Sequence, residues 1–413
     1  MRERPYHELK KKNWALSLQD QQERPLVCRA MPVKITMNNT HKCNLGCPLC
    51  FKQFEPGHNM SYPDMPIEFF RTVAEDVFAY VDEVGLSVSG EPLISPTIEE
   101  ELEVGAQFGV NVSITTNGVP LGVKRLRDLV LKHVYVVHLS MDASCKETFE
   151  RIRSGARWEQ VMGALKELLK EREERGYGPK IFTNFLMMRE NIEELPQWVA
   201  LMAEIGSDGC YAEHVVVPGA FAIMSLVNHK RLAMEKMNKA KAVAERCGMF
   251  LKLPPPYLLS PEDEKQPFTS REEIRERLMG GDLEATPPED NLPSDEKEAE
   301  SSSHIVADIP SPEEIRALNA RIIPGRPVPC PYAWRETWVH QQGEVLCCDT
   351  NNFPFQIGTI PKDRITDLWN GEKYQELRKR LVNGEVYTSC RHCHVVGQID
   401  SPEDPLSFVK GMR

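Results

Sequence analysis

The chain has 413 residues, 41% hydrophobic and 27% charged side chains, and a formal net charge of -11, which leaves room for two domains or for one large α/β barrel with an appendage. The acidic balance argues against a protein whose main work is gripping nucleic-acid backbone, since that needs a concentrated basic face. No run of about 18 apolar residues occurs, and the N-terminus MRERPYHELKKKNW lacks the apolar stretch of a secretory signal, so the expected address is the cytoplasm with no membrane contact.

In chain order, residues 1–32 read as an N-terminal arm, and from Val33 short β-branched runs alternate with amphipathic helical stretches. VKITMN (33–38) is the first strand, and a helix over about Ile67 to Val81 follows. EVGLSVSG (83–90), NVSITTNG (111–118), VYVVHLSMD (134–142), KIFTNFLMM (180–188) and GCYAEHVVV (209–217) are the next five strands. Between them lie helices near Ile98–Phe108, Val123–Leu131 and Ser144–Arg175, and one ending at Ile205 for which Asn191 and Glu194 spell a capping box. A further helix covers about Ser225 to Arg246.

Six successive β-α units predict parallel strands joined by right-handed crossovers, closed or curled as a barrel, with a doubly wound open sheet as the competitor. The polar motifs sit at or just after strand ends, the edge where parallel α/β proteins bind ligands, which favours one shared cavity. Past Leu253 the texture becomes proline-rich and then acidic, and 254–327 reads as an insert or linker. A folded region resumes near Val328. It is too short for a large core of its own, so a metal staple would help it.

Twelve cysteines in a chain without a signal peptide point to metal more than to disulfides. Cys43, Cys47 and Cys50 stand in HKCNLGCPLCF as C-x3-C-x2-C. A closed structural metal site takes four ligands, so three on one loop suggest a coordination sphere left open. The spacing by itself also fits a buried cysteine cluster, or half of a zinc site completed elsewhere. Cys330, Cys347, Cys348, Cys390 and Cys393 form a second group, which in isolation suits a four-cysteine zinc site. The scattered Cys28, Cys145, Cys210 and Cys247 read as small buried hydrophobes.

With C-x3-C-x2-C directly after the first strand and SGEPLI (89–94) one β-α unit later, the chain resembles the radical S-adenosylmethionine (radical SAM) enzymes over about 33–253. Cys330, then Gly343 with Cys348 five positions on, then Cys390 and Cys393 resemble the start of the SPASM/twitch extension over 328–395. There are departures. Leu49 stands where the family often has an aromatic residue, Ser89 replaces the first glycine of the family's GGEP segment, and the later cysteines of the full SPASM pattern are missing.

The resemblance implies a partial (β/α)6 TIM-like barrel over 33–253 and a small metal-cluster domain over 328–413. Cys43, Cys47 and Cys50 would hold a [4Fe-4S] cluster whose fourth iron is left for S-adenosylmethionine. Its one-electron cleavage would yield a 5'-deoxyadenosyl radical that abstracts a substrate hydrogen atom. Ser89, Gly90 and Glu91, with Thr116, Asn117, Ser140 and Arg153, fall where the family contacts that cofactor. Cys330, Cys348, Cys390 and Cys393 would hold one auxiliary [4Fe-4S] cluster, with Cys347 as a substitute for Cys348, in a structural or electron-transfer role. Glu213 and His214 on the sixth strand are candidate bases. The expected partners are an external electron donor such as flavodoxin or ferredoxin and a peptide or small polar metabolite as substrate. The alternative is a non-catalytic zinc-binding adaptor.

Overall fold

The computed structural model describes residues 4–50, 52, 62–86, 89–215, 224–257, 259, 270, 330–348 and 356–385. Almost all of the insert expected at 254–327, and Cys390 and Cys393, lie outside the described residues.

The first strand, β1 (Lys34–Met37), is followed by α2 (Ile67–Val77), β2 (Glu83–Leu86), α3 (Ile98–Gln107), β3 (Asn111–Thr116), α4 (Lys124–His133) and β4 (Val134–Ser140). Next come α5 (Lys146–Ile152), α6 (Trp158–Arg175), β5 (Lys180–Met187), α7 (Leu195–Ile205), β6 (Gly209–His214), α8 (Lys230–Cys247) and β7 (Leu251–Lys252). Strands β1 to β7 lie side by side in sequence order and are parallel throughout. A doubly wound sheet would reverse order partway. Monotonic order with right-handed crossovers places the helices on one face and curls the sheet into a partial barrel.

Alternation along each strand divides the side chains. Ile35, Met37, Val84, Leu86, Val137, Leu139, Ile181 and Phe185 are buried against the helices. The other set, among them Lys34, Glu83, Ser113, His138, Asn184 and Tyr211, occupies the inner face in matching register.

The C-terminal region continues this sheet. Strand β8 (Glu336–Val339) pairs in parallel with β1 from Lys34↔Glu336 to Met37↔Val339, and β9 (Glu344–Leu346) and β10 (Gln356–Thr359) follow as an antiparallel meander. Among the described residues the result is one ten-stranded sheet with β7 and β10 at its edges. Helices α9 (Ile365–Leu368) and α10 (Glu372–Val382) complete the described part of this region.

Several local expectations are corrected. The arm at 1–32 contains a 17-residue helix, α1 (His7–Glu23). The second helix ends at Val77, four residues short of Val81. The helical stretch to Arg175 breaks at 153–157, where Gly155 adopts φ +99°. The capping box does not form. Asn191 instead accepts from Met188 N at 2.9 Å and donates to the Asp142 and Leu186 carbonyls, while Glu194 accepts from Ser144 N, Ser144 Oγ and Thr148 Oγ1. These partners occupy both side chains in place of the reciprocal cap. Strand β7 went unforeseen, since two residues carry no period. Among the described residues no helix is long and apolar enough to cross a membrane.

Candidate functional site

Beyond Met37 the chain turns over the C-terminal edge of the sheet. Asn38, Asn39 and Thr40 are buried there and held by side chains: Asn39 donates to Glu101 Oε2 at 2.7 Å, and Thr40 Oγ1 donates to Asp64 Oδ1 at 2.7 Å. Thus anchored, the loop presents Cys43, Cys47 and Cys50 as half-buried free thiols. Gly46 N donates to Ser154 O at 3.0 Å and Cys50 N to Cys47 O at 3.1 Å, which closes the loop on itself and on the turn after α5.

Each thiol meets a different donor. Asn117 Nδ2 lies 3.7 Å from Cys43 Sγ and donates to Asn44 Oδ1 at 2.8 Å. Burial pushes the Cys47 thiol up, as do the neighbouring Cys50 and Cys43, while the Arg153 guanidinium pulls it down. Burial likewise pushes Cys50 up, against the pull of the Lys52 backbone N–H and ammonium. Burial pushes Cys28 and Cys210 up to about 12, outweighing Arg378 and Arg29 at Cys28 and the Thr183 and Ser207 hydroxyls at Cys210. Cys145 is only half-buried and Cys247 is exposed, so the reading of the scattered four as buried holds for Cys28 and Cys210 alone. Three free thiols at one sheet edge, each met by an N–H or a cation, suit a thiolate-ligated iron-sulfur cluster, because such partners stabilise charge on sulfur.

The SGEP turn is locked to this loop through backbone. Gly90 has φ +88°, and a Cβ there would stand 2.6 Å from both Thr40 O and Lys42 O; only glycine allows that approach. Glu91 N donates to Lys42 O at 2.8 Å. The Glu91 side chain is among those that the resemblance puts at the cofactor. It is 1% exposed and turned toward β3, where Oε1 accepts from Thr116 Oγ1 at 2.8 Å and Leu93 N at 3.2 Å, and Oε2 accepts from Asn117 N at 2.7 Å. Burial pushes its carboxyl up to about 7 in spite of these donors. Glu91 therefore braces the turn that carries Asn117. Ser89 Oγ lies 2.8 Å from His41 Nδ1 and 2.9 Å from the Asn38 side-chain amide, tying the same two loops together.

Ser140 ends β4 on the inner face, opposite Asn184 of β5. Arg153 is fixed rather than free: its Nε and Nη2 both lie 2.5 Å from Asp142 Oδ2, whose partner oxygen accepts from Leu186 N at 2.6 Å. Although burial disfavours the Arg153 charge, Asp142 and the Cys47 thiol raise its pKa above the ordinary value. Asp142, absent from the expected set, is thus the hinge between Arg153 and β5. The motif SMD held the signal.

In the C-terminal region Cys330, Cys347 and Cys348 are electrostatic neighbours, and the fully enclosed Cys347 is pushed well above the ordinary thiol range by burial, with Cys348 and Cys330 adding to it. Gly343 adopts φ +93°, and a Cβ would stand 2.2 Å from Ile360 O. That contact accounts for the glycine between the cysteines. Among the described residues no three histidine, cysteine, aspartate or glutamate side chains converge tightly enough for a single metal ion.

Glu213 and His214 are adjacent in β6 and so point to opposite faces. His214 Nδ1 lies 3.0 Å from Tyr257 OH, and burial pulls the imidazole down to about 4. Glu213 is exposed, on the side of Tyr211, and its charge acts on His138 and Lys252. The structure therefore does not bring this pair together.

Residues 37–202 match the model of the radical SAM superfamily, and residues 330–394 match that of the SPASM iron-sulfur cluster-binding domain. The chain is 27% identical over 226 residues to a tungsten-containing aldehyde ferredoxin oxidoreductase cofactor-modifying protein of Pyrococcus furiosus, covering 52% of this chain and 60% of that one. It is 34% identical over 170 residues to a GTP 3',8-cyclase of Chlorobaculum tepidum, covering 40% and 48%. The chain spans about half the length of the curated relatives it matches. Its fold is similar to that of Streptococcus suis SuiB crystallised with S-adenosylmethionine, with TM-score 0.58, 13% identity and coverage of 97% of this chain and 78% of that one. The cofactors are accordingly [4Fe-4S] clusters and S-adenosylmethionine. With both domains matched in order along one sheet, the chain belongs to the radical SAM superfamily and carries a C-terminal SPASM domain.

Proposed function

We propose that the protein uses the site at Cys43, Cys47 and Cys50 to abstract a hydrogen atom from a substrate, a peptide or a small polar metabolite, laid on the inner face of the partial barrel. The observation that carries this reading is that the three thiols, each with its own donor, stand at the C-terminal edge of the parallel sheet. When bound, the cluster and S-adenosylmethionine supply one-electron cleavage of a sulfonium bond and with it a hydrogen-abstracting 5'-deoxyadenosyl radical.

The chain's own residues do the rest. Asn117, Arg153 and Lys52 stabilise negative charge on the cysteine sulfurs. Glu91 holds Asn117 in place, Asp142 holds Arg153, and Gly90 lets the SGEP turn lie against the cysteine loop, so the geometry is set before any ligand arrives. Ser140 and Asn184 stand at the end of the inner face nearest that loop. Glu213, on the same side as Tyr211 and Lys252, is the group placed to accept a proton from the substrate, whereas His214 is engaged with Tyr257. Residues 33–253 form the catalytic unit and 328–413 the auxiliary one, in which Cys330, Cys348, Cys390 and Cys393 would hold a second cluster that exchanges electrons with the reaction.

Anaerobic reconstitution tests this. Iron and sulfide should load to two clusters, and dithionite with S-adenosylmethionine should yield 5'-deoxyadenosine. Cys43→Ala should remove that yield by at least about a hundredfold, since the cleavage has no other route in the protein. Cys348→Ala should lower iron content by about half. A protein that fills with zinc and produces no 5'-deoxyadenosine would be a metal-binding adaptor instead, and the reading would fall.

A further inference from the structure

The inner face carries a charge arrangement that the cysteine chemistry leaves unused. Arg335 leads into β8 and is 7% exposed, with its Nε wholly buried and unpartnered. Among the described residues its guanidinium makes no side-chain hydrogen bond and no ion pair. Buried arginines are ordinarily paired, because a desolvated charge without a partner costs several kcal/mol.

The position of this charge follows from what it acts on. It lowers the pKa of Lys34 and of Glu83 on the inner face, and of Lys252 on β7 at the far edge of the parallel strands. Arg335 lies at the N-terminal end of the sheet, where its own carbonyl accepts from Val33 N at 2.9 Å and Lys34 N at 3.4 Å at the start of β1. The carboxylates nearby are engaged elsewhere. Glu83 is 3.0 Å from Lys34 Nζ and accepts from Ser113 Oγ at 2.9 Å, and Glu336 accepts from Trp338 Nε1 at 3.4 Å. Lys252 stands over the Tyr211 ring, 5.5 Å from its centroid. Burial pulls its ammonium down to about 8, with Glu213 opposing and Arg335 adding to the effect. Arg335 and Lys252 are thus electrostatic neighbours, and Arg335 is a fork of donors suited to a planar or tetrahedral oxyanion.

We propose that Arg335 and Lys252 form an anchoring subsite for an oxyanion, the carboxylate or phosphate end of the substrate. The proposal rests on the inner face being the substrate-bearing face. Strand β1 rises about 10 Å from Lys34 to Met37, at about 3.3 Å per residue. The subsite thus selects an extended substrate whose anionic end lies on the order of 10 Å from the carbon that loses hydrogen.

Binding of inorganic phosphate and, separately, of acetate to the full reconstituted chain tests this by calorimetry and thermal unfolding, with ionic strength held constant by chloride. Saturable binding of at least one probe is expected, weakened about tenfold or more by Arg335→Gln and by Lys252→Met and partly restored in Arg335→Lys. Phosphate preference would assign a phosphorylated substrate and acetate preference a carboxylate-ended one. No saturable binding of either probe, or equal binding in Lys252→Met and in a folded Arg335→Gln, overturns the subsite. Should Arg335→Gln fail to fold, Lys252→Met decides alone. A wild-type chain that forms 5'-deoxyadenosine yet binds neither anion sinks this proposal only; one that binds the anion without forming 5'-deoxyadenosine sinks the functional reading only.

Discussion

Gly90 and Gly343 illustrate how single residues hold the two cysteine regions in shape. Both have positive φ, and both face backbone carbonyls where a Cβ would have to sit. Gly90→Ala should therefore cost about 2–4 kcal/mol, from the strained backbone and the displaced loop together. Denaturant unfolding of the variant measures this; a loss under about 0.5 kcal/mol would show that the loop is free to move. The need for glycine at 90 was legible in SGEP, because a glycine beside a ligand loop implies close backbone approach. The hydrogen bonds of Glu91 to Thr116 and Asn117 were not. A carboxylate in a turn gives no sign of whether it faces outward to a ligand or inward to Thr116 and Asn117. Arg335 and Lys252 were equally hidden, since only the sheet makes them electrostatic neighbours and neither belongs to a local pattern.

At the scale of elements, the six β-α units were legible because their strands are β-branched and their helices carry apolar stripes. Helix α1 was invisible for the opposite reason: its buried stripe is polar. Lys10, Asn13, Ser17 and Asp20 recur at helical spacing and are all buried. Lys10 Nζ donates to Phe78 O at 2.8 Å and to Val81 O. Asn13 donates to the Met31 and Tyr80 carbonyls and accepts from Met31 N at 2.9 Å. Asp20 accepts from the backbone of Arg29 and Ala30. Hydrophobic periodicity cannot detect such a face. Asn13→Ala should lower unfolding free energy by about 2 kcal/mol, because buried backbone groups lose their partners. Equilibrium unfolding with coincident fluorescence and circular dichroism checks it, and an unchanged midpoint would mean that water replaces the amide.

Across the whole molecule, the beginning of the chain is gripped by its C-terminal third. Trp334 Nε1 donates to Pro25 O, Arg378 to Leu26 O, and Trp369 Nε1 to Ala30 O, while Asn370 exchanges two hydrogen bonds with Cys28. The pairing of β8 with β1 adds a sheet ladder. The expectation of a small C-terminal metal-cluster domain rested on its length and cysteines. Neither property reveals that its first strand completes the barrel's own sheet. A protease site engineered between residues 286 and 314 should accordingly yield two fragments that elute together on gel filtration and part only in denaturant. Separation under native conditions would show that the interface is weak.

The place of β1 between β2 and β8 also bears on how the protein is made. The cysteine loop is carried by a strand whose second neighbour is encoded some three hundred residues later, so the loop leaves the ribosome well before that neighbour does. Until that neighbour arrives, one edge of β1 is an open template for foreign strands. Completion of the sheet thus waits on β8, and the strand that carries the cysteine loop keeps one edge unpaired until β8 has been made.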